Sequence, residues 1–232
     1  MVRVVKEYDE RHAEFLSVAQ KLFYSKGYDQ TSIQEIINAV GVAKGTFYHY
    51  FDSKAELLEE LVAFMIDGIY AQVLTAVEPA LADESISAVD KFEHLFNHIG
   101  NWKVANQAFV WESVRVFYKD ENVLLRTKLT EAGVDRLAPL LARIISQGVA
   151  EGVFDVPYPE ETARLLITIN QTLSESVARL MLAGERGDDV VRRLEQKLAT
   201  VESSISRLLG APENALRLID MEALTVWVSA EE

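Results

Sequence analysis

Apolar side chains in this chain recur at every third and fourth position, and no stretch alternates apolar with polar residues between turn signals. That rhythm belongs to helices with one buried stripe, not to strands, so an all-α fold is expected. Gly (11) and Pro (5) are scarce among the 232 residues, which leaves room for roughly nine or ten helices. A hydrophobic fraction of 49 % is enough to bury a full core and excludes global disorder. With no cysteine, disulfides, thiol nucleophiles and cysteine metal sites are excluded. No run approaches the length of a membrane span and the first residues lack a signal-peptide core, so a cytoplasmic protein with no membrane partner is expected.

The periodicity places helices over 9–25, 32–39 and 43–50, with Thr31 and Gln34 as a capping box for the second and Gly41-Val42 as the turn after it. Ser53-Lys54-Ala55-Glu56 opens a long helix that Pro79 is expected to end. About 24 residues at 1.5 Å each span roughly 36 Å, enough to join two packed parts without a flexible linker. Further helices are expected at 86–103, 105–118, 122–150, 159–183 and 188–209, with Pro139 kinking one of them and a partly helical tail at 212–227. The domain boundary falls after the third helix: 1–54 as one domain and 55–232 as a larger helical one.

The net charge of −13 argues at first against a nucleic-acid partner, but residues 1–54 hold equal numbers of acids and bases and the whole excess lies beyond them. Within 33–51, two short helices flank a Gly-containing turn behind a supporting helix, the arrangement of a helix-turn-helix. Phe47 and Phe51, four apart, can pack inward. Lys44, Gly45, Tyr48 and His49 then face outward, where a lysine can reach base edges and a glycine lets backbone approach closely. Thr46 offers a hydroxyl and a methyl, and Tyr48, His49 and Tyr50 can donate to phosphates. Lys54, at the positive end of the long helix, is unfavourable there unless an anion joins it.

The string Gly41-Val42-Ala43-Lys44-Gly45-Thr46-Phe47-Tyr48-His49-Tyr50-Phe51-Asp52-Ser53-Lys54, with the residues around it, closely resembles the DNA-binding signature of the TetR family of transcriptional regulators. The resemblance covers about residues 9–60. It implies an N-terminal three-helix helix-turn-helix domain, joined by a long helix to a larger ligand-binding and dimerisation domain. By position, Lys44, Gly45 and Thr46 would face bases, while Thr31, Tyr48, His49 and Lys54 would face phosphates of a double-stranded operator. Ala43 stands where many relatives carry a serine.

Farther along, Leu194, Leu198, Val201 and Ile205 share a 3–4 rhythm, as do Leu166, Ile169, Leu173 and Leu180. Two antiparallel helices do not cover such seams alone, so these residues are expected to form a four-helix homodimer interface. Phe96, Trp102, Phe109, Trp111 and Phe117, with the polar His98, Glu112 and Asn170, suggest an apolar pocket with a few polar handles for a small, mainly apolar effector. His94 and His98 could share a metal, but spacing offers no further ligand, so no metal and no cofactor is expected. A helical enzyme built on His94, His98 and Glu112 lacks a nucleophile–base pair, a phosphate loop and a metal quartet. A dimeric module without DNA binding conflicts with the intact 44–54 string. The expected function is a ligand-responsive repressor binding a near-palindromic operator as a homodimer, and not an enzyme.

Overall fold

The computed structural model describes residues 8–212, 216–218 and 221–229. Ten α-helices follow one another, with no strand among the described residues: α1 (Tyr8–Lys26), α2 (Ile33–Val40), α3 (Lys44–Tyr50), α4 (Lys54–Ala82), α5 (Ala88–Ala105), α6 (Gln107–Phe117), α7 (Val123–Ala150), α8 (Pro159–Ala183), α9 (Asp188–Leu209) and α10 (Met221–Ser229). A 3-10 turn, Asp120–Asn122, precedes α7. No single helix among the described residues is long and apolar enough to cross a membrane.

Two start and stop expectations are corrected. Ser32, not Thr31, caps α2: its hydroxyl accepts from the Glu35 N–H at 3.2 Å and the Glu35 carboxylate accepts from the Ser32 N–H at 2.8 Å. Thr31 is turned inward instead. Pro79 lies inside α4 rather than ending it. The proline removes one internal hydrogen bond, and farther along the Leu81 carbonyl is taken up by the buried Lys91 ammonium at 3.0 Å.

The chain forms two compact units. The first joins the residues up to Gly68 with Arg115–Ala132, so it reaches beyond residue 54 and takes in a segment distant in sequence. Its core is aromatic: Phe15, Phe23, Phe47 and Phe51 are buried with Ile36, Leu57 and Leu61. Phe15 meets Phe47 and Phe51 edge-on, each at 5.7 Å between ring centroids. Gly27 ends α1 with φ +89°, and a Cβ there would lie 2.5 Å from the Glu121 Cβ, so only glycine lets the 3-10 turn come this close.

The second unit holds Ile69–Val114 and the residues from Gly133 onward. Within it α8 and α9 run antiparallel, joined through Gly184 and Gly187, both with positive φ. Here the seam expectation is corrected in its reasoning. Leu166, Leu173, Leu194, Leu198, Val201 and Ile205 are all at most 5 % exposed inside a single chain. Ile169 and Leu180 are partly buried against the same core. Phe92, Leu95 and Phe96 of α5, Leu141 and Ile145 of α7, and Leu224 and Trp227 of α10 belong to that core, so one chain supplies the cover. The large apolar residues left exposed on α8 and α9 are Leu165 (56 %), Leu182 (44 %) and Leu208 (44 %).

Candidate nucleic-acid interface

The capping box starts α2, and Gly41 ends it in the left-handed conformation (φ 76°, ψ 37°), its N–H donating to the Ile37 carbonyl at 2.9 Å. An L side chain is strained at that φ, so glycine sets the sharp turn into α3. Ile36, Ile37 and Val40 anchor α2 in the core, and Phe47 and Phe51 anchor α3 and its end. With Phe47 held inward, the 3.6-residue period turns Gly45, Tyr48 and His49 toward solvent, and Lys44 is exposed as the first residue of α3.

Lys44, Gly45, Tyr48 and His49 are exposed and Thr46 is half-buried. The Lys44 ammonium lies 5.8 Å from the centre of the Tyr48 ring, a cation–π arrangement that presents the two side chains side by side. Nothing lies within 4 Å of where a Gly45 Cβ would sit, so the backbone there is open to close approach. Ala43 gives α3 no side-chain cap. His49 stands edge-on to Tyr8 at 6.0 Å and to Tyr50 at 5.3 Å, and Tyr8 stacks on Tyr50 at 4.6 Å. Tyr50 thus serves the packing of α3 on α1 while His49 keeps an exposed edge. His12 stacks on Phe51 at 5.1 Å and meets Glu60 of α4 at 2.5 Å, tying α1 to α4 beneath this face.

Two of the sequence candidates sit differently. Thr31 is 1 % exposed and its hydroxyl donates to the Gly27 carbonyl at 2.8 Å, so it closes the end of α1 instead of facing solvent. The Lys54 ammonium donates to the Tyr28 and Thr31 carbonyls at 2.9 and 3.0 Å and lies 4.1 Å from the Tyr28 ring centre. Those two bonds bind the α1–α2 loop to the first turn of α4. They relieve the unfavourable cation at a helix N-terminus without an external anion, and leave one N–H free to point elsewhere. Sequence reasoning missed Tyr28 and Ser32. Ser32 had a signal, Glu35 three residues on; the grip on Tyr28 had none, because its partners are backbone carbonyls. Lys26 pairs with Glu35 across α1 and α2, and this ion pair, with the Ser32 N–H and hydroxyl, holds the Glu35 carboxyl down at about 2.

The residues picked for a ligand pocket do not gather into one cluster. Phe96 is buried in the core of the second unit against Phe92, and Trp111 packs on that core. Trp102 meets Phe109 edge-on at 6.2 Å, but Phe109 is 52 % exposed and Glu112 is exposed. His98 stacks on His94 at 6.2 Å, and no group of three or more possible metal ligands exists among the described residues. Phe117 belongs to the first unit, where it packs edge-on to Tyr24 at 5.4 Å. Asn170 stands apart: its side-chain oxygen is buried with no hydrogen-bond partner.

Residues 15–61 match the model of the bacterial regulatory proteins of the tetR family, and residues 107–178 match that of a tetracyclin repressor-like C-terminal domain. The repressor KstR2 of Mycobacterium tuberculosis is 26 % identical over 158 residues, covering 66 % of this chain and 74 % of that protein. The regulator EthR of Mycolicibacterium smegmatis is 31 % identical over 93 residues, 40 % of this chain and 43 % of that one. A TetR-family regulator from Pectobacterium atrosepticum shares the fold with a TM-score of 0.55 at 20 % identity, over 89 % of this chain and all of that one (100 %). Two matching models in the right order, and relatives that are transcriptional repressors and regulators, place the chain in the TetR family as a DNA-binding transcriptional regulator and not an enzyme.

Proposed function

We propose that the protein is a ligand-responsive repressor that binds a near-palindromic operator as a homodimer, the first unit reading DNA and the second taking the effector and the second copy. The observation that carries this reading is α3: Phe47 is buried while Lys44, Gly45, Tyr48 and His49 all stand exposed, with the Lys44 ammonium beside the Tyr48 ring. Lys44 reads base edges in the major groove. Tyr48 and His49 grip flanking phosphates, and Gly45 lets the backbone come close. Lys54 fixes the loop ahead of α2 and offers its remaining N–H to a phosphate. Repression is supported by the named function of KstR2.

The second copy docks on the outward faces of α8 and α9, where Leu165 and Leu208 remain exposed and an open groove of about 340 Å³ is lined by Thr172, Gln196 and Thr200 among others. The effector is small and mainly apolar. A gel shift with DNA from beside the protein's own gene, with random competitor present, tests the reading. A shifted band that survives competitor supports it, and a band lost equally to random DNA contradicts it.

A further inference from the structure

The inward stripe of α5 runs Phe92, Phe96, Ile99 and then Lys103. Leu166, Leu173 and Val177 of α8 belong to the same buried cluster, and by spacing Asn170 and Ser174 share their face of the helix. Two apolar seams therefore meet at polar residues, the Lys103 ammonium approaching the Ser174 hydroxyl at 3.5 Å, the outer limit of a hydrogen bond. No acid pairs with Lys103 among the described residues, and burial pushes its ammonium below the ordinary lysine value. One turn from Ser174, on the same side of α8, the Asn170 oxygen is buried and unpartnered.

The ammonium of a half-buried lysine whose one partner among the described residues is a hydroxyl at 3.5 Å, and an orphaned amide oxygen one turn away, are both costly. The last-turn position of Lys103 on α5 offsets part of the cost, since a helix C-terminus favours a cation. It gives no reason for Asn170 or Ser174. Polar groups left unsatisfied inside an otherwise consistent core mark a site whose partner arrives from outside. The chemistry of that partner follows from the groups. Lys103 and the Ser174 O–H both donate, so they suit an acceptor with negative charge, and Asn170 accepts a hydroxyl or N–H beside it. Phe96 and Ile99 on one side and Leu166 and Leu173 on the other suit an apolar body.

We propose that Lys103, Ser174 and Asn170 form the polar anchor of the effector site, and that the effector is an organic monocarboxylate with an apolar body. This rests on the ligand-responsive reading above and gives it a substrate class. Binding of octanoate and 4-phenylbutyrate, with octanol and 4-phenylbutanol as head-group controls, is measured by tryptophan fluorescence and calorimetry on the full chain without DNA. At least one acid is expected to bind about ten- to a hundredfold tighter than its alcohol, the scale of a charge-assisted hydrogen bond. Lys103→Met should abolish that preference while leaving the alcohol's affinity as it was, and Ser174→Ala should reduce it severalfold. Equal binding of acid and alcohol, a preference that survives Lys103→Met, or no saturable binding of either acid overturns the proposal. If Lys103→Met does not fold, the wild-type preference and Ser174→Ala decide. Operator binding by the unliganded protein is scored separately by gel shift, so failure of the regulator reading and failure of the carboxylate site give different results.

Discussion

At the scale of single residues, the proposed interface sets exposed side chains that would read DNA apart from side chains that hold the fold. Lys44 is exposed and makes no ion pair among the described residues, so its removal costs the fold little. Lys44→Ala is expected to erode discrimination between operator and random DNA by about 1–3 kcal/mol if it contacts a guanine. An unchanged specificity ratio removes it from the reading set. Lys54→Ala should behave differently, because two carbonyls lose their donor. With the side chain part-exposed, the loss is about 1–2 kcal/mol of stability by urea denaturation, and binding to operator and random DNA should weaken by similar factors. Full stability with weakened DNA binding would assign Lys54 to phosphate alone. The inward turn of Phe47 and Phe51 was legible from their spacing and apolar character. The inward turn of Thr31 was not, since a threonine hydroxyl suits a phosphate and a carbonyl equally well.

At the scale of elements, boundaries followed the strongest local chemistry. The ranges 159–183 and 188–209 expected from the sequence are those of α8 and α9, with Pro159 in the first turn of α8 and glycines in the left-handed conformation after both helices. The α2 start was misplaced by one residue because Thr31 and Ser32 are both good caps, and only the buried position of Thr31 decides between them. Ser32→Ala should cost about 1 kcal/mol. The Glu35 carboxyl, held at about 2 by Lys26 and Ser32, is depressed in the folded state. Its contribution is therefore present above the unfolded carboxyl value and is lost only as pH falls toward 2. An NMR titration of Glu35 should show it still ionised at pH 4, and a midpoint near the ordinary glutamate value would contradict the Lys26–Ser32 arrangement. The seams of α8 and α9 were visible as spacing, but a 3–4 rhythm says only that a face is covered, not by what. Leu198→Ala should accordingly cost about 2–5 kcal/mol as a core truncation. Leu165→Glu and Leu208→Glu should leave the chain folded and yield monomers by sedimentation; a stable dimer in both would move the interface elsewhere.

At the scale of the whole molecule, the division between the two units falls inside three helices, α4, α6 and α7. The contribution of Arg115–Ala132 to the first unit was invisible in the sequence, because Phe117 against Tyr24 and Glu121 against Gly27 join positions about ninety residues apart. If an effector in the second unit weakens operator binding, operator must weaken effector binding by the same factor, typically about 5–150-fold. An effector with identical affinity for free and operator-bound protein cannot shift the equilibrium. The central claim is that two copies present α3 to one duplex. Footprinting on DNA from beside the protein's own gene tests it most directly. The account predicts two related half-sites in inverted orientation, centred about 34–36 Å or a small multiple of that apart, protected about a thousandfold or more in preference to random DNA. Protection of one unpaired site, or none above random DNA, would contradict it.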